Sequence, residues 1–198
     1  MTIIKCSGKY IDQCVDVHMR SFEGFFLTFL GKNFLELLYK SIIEDPSGIG
    51  FVYLTSNEVA GFVFGSTQPT GFYKRILKKK FLQFGFAALG AIIRKPIILF
   101  RLLRVFSLAN QEINQPGRGT LMSIAVDPDH QGKSIGKELV LSFLKESKKK
   151  GCQSIDLTTD AVENDSVNDF YKRMGFSLNR TFTTPENRKM NEYLMDLE

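Results

Sequence analysis

Residues 121–151, LMSIAVDPDHQGKSIGKELVLSFLKESKKKG, constrain this chain more than any other stretch, because they prescribe a strand, a sharp turn and a helix in direct succession. The strand-like run ends at Val126, Asp127-Pro128 turns the chain, and Gly132 and Gly136 stand in a short polar passage. Beyond it Ile135, Leu139, Val140, Phe143 and Leu144 recur at the spacing of one helical face, so a helix is expected over Ser134 to Lys150. Taken alone, such a turn is ordinary helix entry. It is also an anion cradle: glycine lets the backbone approach a phosphate, and the unpaired amides and positive dipole end of the helix hold it. Lys133 and Lys137 add charge. Neither GxxxxGK[ST] nor GxGxxG is present, which disfavours a nucleoside triphosphate site.

The remainder reads as alternating strands and helices, without internal repeats. Strands are expected at Ile3 to Lys5, Gly50 to Thr55, Val59 to Gly65, Thr120 to Val126, Ser154 to Thr159 and near Glu192 to Leu197. Helices are expected at Tyr10 to Arg20, Gly31 to Ile43 and Ser166 to Met174. Ser56-Asn57-Glu58 reads as a hairpin turn. This order implies a mixed sheet covered by helices. At 198 residues and 43% hydrophobic content, one domain over 1–198 is expected.

Three scattered cysteines, Cys6, Cys14 and Cys152, form neither a disulfide framework nor a zinc motif, so no metal is expected and the compartment reads as reducing cytoplasm. The opening MTIIKCSGKYIDQ reaches polar residues before a long apolar core can form, so it is not read as a secretory signal. The longest uncharged apolar run, Phe81 to Ile93, is 13 residues, short of the roughly 20 that span a bilayer. His18 and His130 read as helix surface and loop, and no Ser/His/Asp or Cys/His set stands out.

The motifs resemble the GNAT superfamily of acetyltransferases. Its pyrophosphate loop, Gln/Arg-x-x-Gly-x-Gly/Ala, is matched by Gln131-Gly132-Lys133-Ser134-Ile135-Gly136, with Ser134 in place of the first glycine. The loop can work with Ser134 there if that position has φ below zero. A second segment, Asn164 to Phe176, fits the family's N-x-x-V-x-x-x-Y-x-x-x-G-F pattern. The resemblance implies a GNAT-like, mostly antiparallel sheet flanked by helices, with acetyl-CoA as cosubstrate and a small amine as acceptor. It implies that Asn164 contacts the pantetheine arm and opens a helix, and that the Tyr171 phenol protonates the departing thiolate. With a phenol pKa of about 10 and a thiol pKa of about 8.5, a nearby hydroxyl can donate a hydrogen bond as thiolate charge develops. It further implies a bulge at about Ile124 to Val126 that splays this strand from the next, with the amide of Ala125 or Val126 polarising the acetyl carbonyl. For the base that takes the acceptor's proton, Asp160 and Glu112 are the candidates, directly or through water.

The acceptor side is assigned, by the same resemblance, to the link between the first two helices, where Glu23 offers a carboxylate beside Phe25 and Phe26. The bland alternative is that these phenylalanines simply pack under the helices. From Thr70 to Ser107 there are nine Lys or Arg and no Asp or Glu, while the rest of the chain holds 17 basic against 21 acidic residues. Within about 70–118, Tyr73, Ile76, Leu77, Phe81, Leu82 and Phe84, then Ile97 to Phe106, suggest an inserted amphipathic helical hairpin broken at Arg94-Lys95-Pro96. Three uses are open for it: recruiting an anionic acceptor such as a nucleotide-linked amino sugar, contacting the inner membrane surface peripherally, or a solvated face over an extended core. Nucleic acid binding is disfavoured, since no stacking platform is legible. The alternative to an enzyme is a noncatalytic acyl-CoA-binding or membrane-surface module on the same fold. An oligomer remains open.

Overall fold

The computed structural model describes residues 2–94 and 115–197. Seven strands are found among them, β1 (Thr2–Lys5), β2 (Gly48–Thr55), β3 (Glu58–Ser66), β4 (Arg118–Val126), β5 (Ser154–Asp160), β6 (Ser177–Thr183) and β7 (Lys189–Asp196). They form one sheet in the order β1-β2-β3-β4-β5-β7-β6. Every neighbouring pair is antiparallel except β4 and β5.

Helices cover both faces. α1 (Ile11–Ser21), α2 (Phe26–Leu30), α3 (Lys32–Glu44) and α4 (Phe72–Arg94) lie on one side, and α5 (Ile135–Lys149) lies on the other. α6 (Asp165–Arg173) follows β5 and places Tyr171 in the same core as α5. The first core joins Val15, Leu35, Tyr39, Phe62 and Phe64. The second joins Val63, Leu139, Val140, Phe143, Ile155 and Leu157. β3 serves both, so nearly all its residues are buried and it reads as a continuous apolar run.

The β2–β3 link is a two-residue turn, Ser56 and Asn57, both at positive φ (53° and 69°), while Glu58 already pairs with Thr55. That is the hairpin turn whose twist matches the strands it joins. Two elements have no counterpart in the sequence reading. β6 is an outer strand of mostly exposed residues with no apolar alternation, and pairing with β7 alone makes it a strand. α2 is five residues long, too short for periodicity to show.

α4 is broken at Lys80 (φ −133°, ψ 29°), and the break redirects its faces. Phe72, Ile76, Phe84, Ala88 and Ala91 are buried. Phe81 and Leu82, expected on the apolar face of the hairpin, are exposed. The second helix of the expected hairpin, Ile97 to Phe106, and the Arg94-Lys95-Pro96 break fall on or beyond the edge of the described residues. No helix among the described residues is long and apolar enough to cross a membrane.

Candidate active site

Parallel pairing of β4 with β5 stops after three residue pairs, the last being Thr120 with Asp156. Past that point Leu121 to Val126 pair only with β3, and Leu157 to Asp160 pair only with β7. The two strands therefore splay and leave one flank of β4 without a strand partner. The register shift on β4 is at Met122, where Phe64 faces Ser123 and Gly65 faces Leu121. The bulge thus lies at least two residues before the expected Ile124 to Val126. Gly65 permits the close approach there, since a Cβ on it would meet the Thr120 carbonyl oxygen at 2.3 Å.

A polar clasp closes the vertex of the splay. Arg118 donates to Asp156 (2.5 Å) and to Glu192 (3.0 Å), and the Thr120 hydroxyl donates to Asp156 (2.5 Å). Glu192 also accepts from Asn179 (2.6 Å) and Arg180 (2.8 Å). Burial works against the Glu192 charge, but these donors together hold its carboxyl below the usual range. At Asp156 burial wins and the carboxyl is pushed up, with Thr120 and Arg118 opposing it.

At the open end lies the glycine turn. Val126 runs into Asp127, whose carboxylate accepts from the Asp129 amide (3.0 Å) and is paired with Arg20 of α1. Ser21 donates to the Val126 carbonyl (3.3 Å), so the last turn of α1 ties down the end of β4. Gln131 to Ser134 are exposed, and Gly132 takes a positive φ of 76° with no atom within 4 Å of where a Cβ would sit. Ser134 is left-handed at φ 60°, so the condition of a negative φ is not met, and the turn enters the helix through the conformation that a glycine ordinarily supplies. The Glu138 amide donates to the Ser134 carbonyl (3.1 Å), so the amides of Ile135, Gly136 and Lys137 precede the helical ladder and remain free for an anion. Lys133 and Lys137 are exposed beside them.

α6 is brought against this cradle: a Cβ on Gly136 would lie 3.7 Å from both Val126 and the Phe170 ring. Tyr171 is 5% exposed and packs edge-on against Phe170 and Phe176, at 5.1 and 5.7 Å between centroids. Burial pushes its phenol well above the ordinary value, so it is a neutral donor. Among the described residues nothing hydrogen-bonds to that hydroxyl. Asn164 opens α6 without capping it; its side chain donates back to the Asp160 carbonyl (3.2 Å). Asn168, absent from the sequence reading, is the buried hub here. It accepts from Thr159 (2.8 Å) and Asn191 (3.1 Å) and donates to the carbonyls of Asp160 (2.9 Å) and Asn164 (2.8 Å). A polar residue one turn after Asn164 was the available signal.

Across the sheet, Asp160 is held by Arg188 through both oxygens (2.8 and 2.7 Å), and the Arg188 guanidinium lies 5.5 Å from the Phe25 ring. The link before α2, the β6–β7 turn and the end of β5 thus meet in one wall. Phe25 is partly exposed there, Phe26 packs against the core, and Glu23 is exposed. Glu112 lies outside the described residues. His18, expected on a helix surface, is 3% exposed, and its Nδ1 meets the Tyr39 hydroxyl at 2.6 Å. Tyr39 in turn reaches Ser123, on the splayed part of β4, at 3.1 Å. Among the described residues no group of three His, Cys, Asp or Glu side chains is placed to hold a metal.

The sheet is thus splayed between its two parallel strands, and the unpaired entry amides of the helix that follows the first of them lie at the open end. Residues 11–176 match the model of the acetyltransferase (GNAT) family, and the chain belongs to that family. It is 42% identical over 53 residues, 27% of its own length, to an uncharacterised N-acetyltransferase of Methanocaldococcus jannaschii, of which the match spans 23%. Over 66 residues it is 32% identical to the mycothiol acetyltransferase of Saccharopolyspora erythraea, covering 33% of this chain and 22% of that protein. The chain therefore matches less than a quarter of either relative. In fold it is similar to the ribosomal-protein-S18-alanine N-acetyltransferase of Escherichia coli, with a TM-score of 0.62, 14% identity, and coverage of 100% and 94% of the two chains.

Proposed function

We propose that the chain transfers an acetyl group from acetyl-CoA to a primary amine by direct attack. The observation that carries this reading is the β4–β5 splay with free helix-entry amides at its mouth. Gln131 to Lys137 would bind the pyrophosphate, and the unpartnered flank of Ile124, Ala125 and Val126 would bind the pantetheine arm, with an amide of Ala125 or Val126 on the acetyl oxygen. Asn164, which opens α6, would meet the same arm. Tyr171 would donate its proton to the leaving thiolate, a role that suits a neutral phenol with an uncommitted hydroxyl.

The acceptor then enters from the opposite side, past Phe25, Phe26 and Glu23. An ammonium acceptor must lose a proton before attack. With both oxygens of Asp160 on Arg188, that carboxylate meets the amine through water. Glu112 is the second candidate. Ser134 in a left-handed turn is the observation that favours the noncatalytic acyl-CoA-binding alternative, since glycine suits that position better.

Calorimetric titration with acetyl-CoA, beside ATP, tests the cradle: micromolar binding of the first and none of the second is expected, and absence of acetyl-CoA binding would overturn the reading. Turnover separates the alternatives. Tyr171→Phe is expected to keep acetyl-CoA binding and to lower kcat about 100-fold on any amine that the wild type acetylates.

A further inference from the structure

The exposed side of α4 is unlike any other surface of the described residues. Leu82, Phe86, Leu89 and Ile93 fall within about 60° of one another around a 3.6-residue helix, and they are 71%, 75%, 48% and 72% exposed. Phe81, 71% exposed, lies at the break that precedes them. The opposite side of the same helix, Phe84, Ala88 and Ala91, is already buried on the core, so this stripe is not the face that holds α4 to the domain. A contiguous apolar surface of this kind marks a binding face.

The charges beside it indicate what binds. Lys74, Lys78 and Lys79 are exposed on the half of α4 before the break, and among the described residues no acid forms a salt bridge with them. Arg75 and Lys80, by contrast, are committed to Asp45 and Glu44. Arg94 is exposed at the far end. An apolar stripe between cationic ends matches an interfacial helix, whose apolar side chains enter the acyl boundary while lysines meet headgroup phosphates. A second copy of the chain would bring the same positive charge to the same face.

We propose that the exposed face of α4 docks on an anionic lipid bilayer, lying in its surface rather than crossing it. The proposal goes beyond acetyl transfer and does not depend on it. α4 packs on α2, and the Arg94 guanidinium lies 5.5 Å from the Phe29 ring, so docking brings the acceptor wall near the lipid.

Flotation of the full chain with phosphatidylcholine vesicles, with and without one-third phosphatidylglycerol, is the test. The protein is expected to float at low salt only with the anionic vesicles and to be released by salt. Lys78→Gln is expected to weaken partitioning about fivefold. The double variant Leu82→Asp with Phe86→Asp is expected to abolish flotation while keeping wild-type thermal stability, since both side chains are already in water. Failure of the wild type to float at low salt would overturn the proposal. So would flotation unchanged in the double variant, which would reduce the contact to charge alone. A dimer in sedimentation velocity that the double variant dissolves, without vesicle binding by the wild type, would make the occupant a second copy.

Discussion

The Nδ1 atom of His18 lies 2.6 Å from the hydroxyl of Tyr39, and that pair, buried in the core under α1 and α3, makes an otherwise silent histidine a pH-sensitive element of the fold. Burial pushes the His18 imidazole down to about 4 from 6.5, while its Nε2 has no partner among the described residues. The unfolded chain therefore takes up the proton first as pH falls. Stability from the neutral ring is complete above pH 6.5 and is lost as pH drops through 6.5 towards 4, by about 3 kcal/mol. His18→Gln, measured by thermal melts across that range, is expected to flatten the slope.

Ser134 holds a left-handed conformation at the entry to α5. A side chain in that region costs on the order of 1 kcal/mol, which glycine avoids at some entropic expense in the unfolded chain. Ser134→Gly is thus expected to raise the unfolding free energy by about 0.5 kcal/mol. Ser134→Val, β-branched where φ is positive, is expected to lower it by more than 1 kcal/mol, roughly. If Ser134→Gly also tightens acetyl-CoA binding, the cradle geometry is limiting; denaturant melts and calorimetry read the two effects separately.

The parts of this architecture that the sequence made legible are those encoded by local pattern. The strand ending at Val126, the helix face from Ile135 to Leu144 and the hairpin turn between β2 and β3 each follow from periodicity or turn chemistry. What stayed hidden depends on contacts distant in sequence. β6 is a strand because β7 pairs with it, and His18 is buried because α3 supplies Tyr39. Phe81 and Leu82 read as sharing an apolar face with Ile76 and Phe84 because periodicity assumes an unbroken helix, and Lys80 breaks it. In the site, Gly132 and Tyr171 stood out by motif spacing, whereas Asn168 and Arg188 matter only once β5, β7 and α6 are brought together.

The clasp at the vertex yields a stability prediction. Glu192 is 8% exposed and accepts from Arg118, Asn179 and Arg180, binding β4, β6 and β7 to one carboxylate. Removing one partner of such a buried set leaves Arg118 short of an acceptor, at a cost of about 3 kcal/mol. Glu192→Ala is expected to lose that much in chemical denaturation. Its carboxyl is held below the usual range, so the contribution is present at neutral pH and is lost as pH falls through that lowered value.

Arg188 joins the end of β5 to the link before α2, the wall proposed above for the acceptor, with Asp160 on one side of its guanidinium and Phe25 on the other. Among the described residues no hydrogen bond or ion pair joins it directly to the helix-entry segment that would bind pyrophosphate. Arg188→Ala is therefore expected to separate the two substrates: KM for the acceptor rises about tenfold, as one charge-assisted contact is lost, and acetyl-CoA affinity measured by calorimetry stays within error of the wild type. Arg188→Lys keeps the charge but cannot hold both Asp160 oxygens in a fork, so it is expected to recover only part of the loss. A parallel fall in acetyl-CoA affinity would place Arg188 on the cosubstrate side of the cleft and reverse the assignment of its two walls.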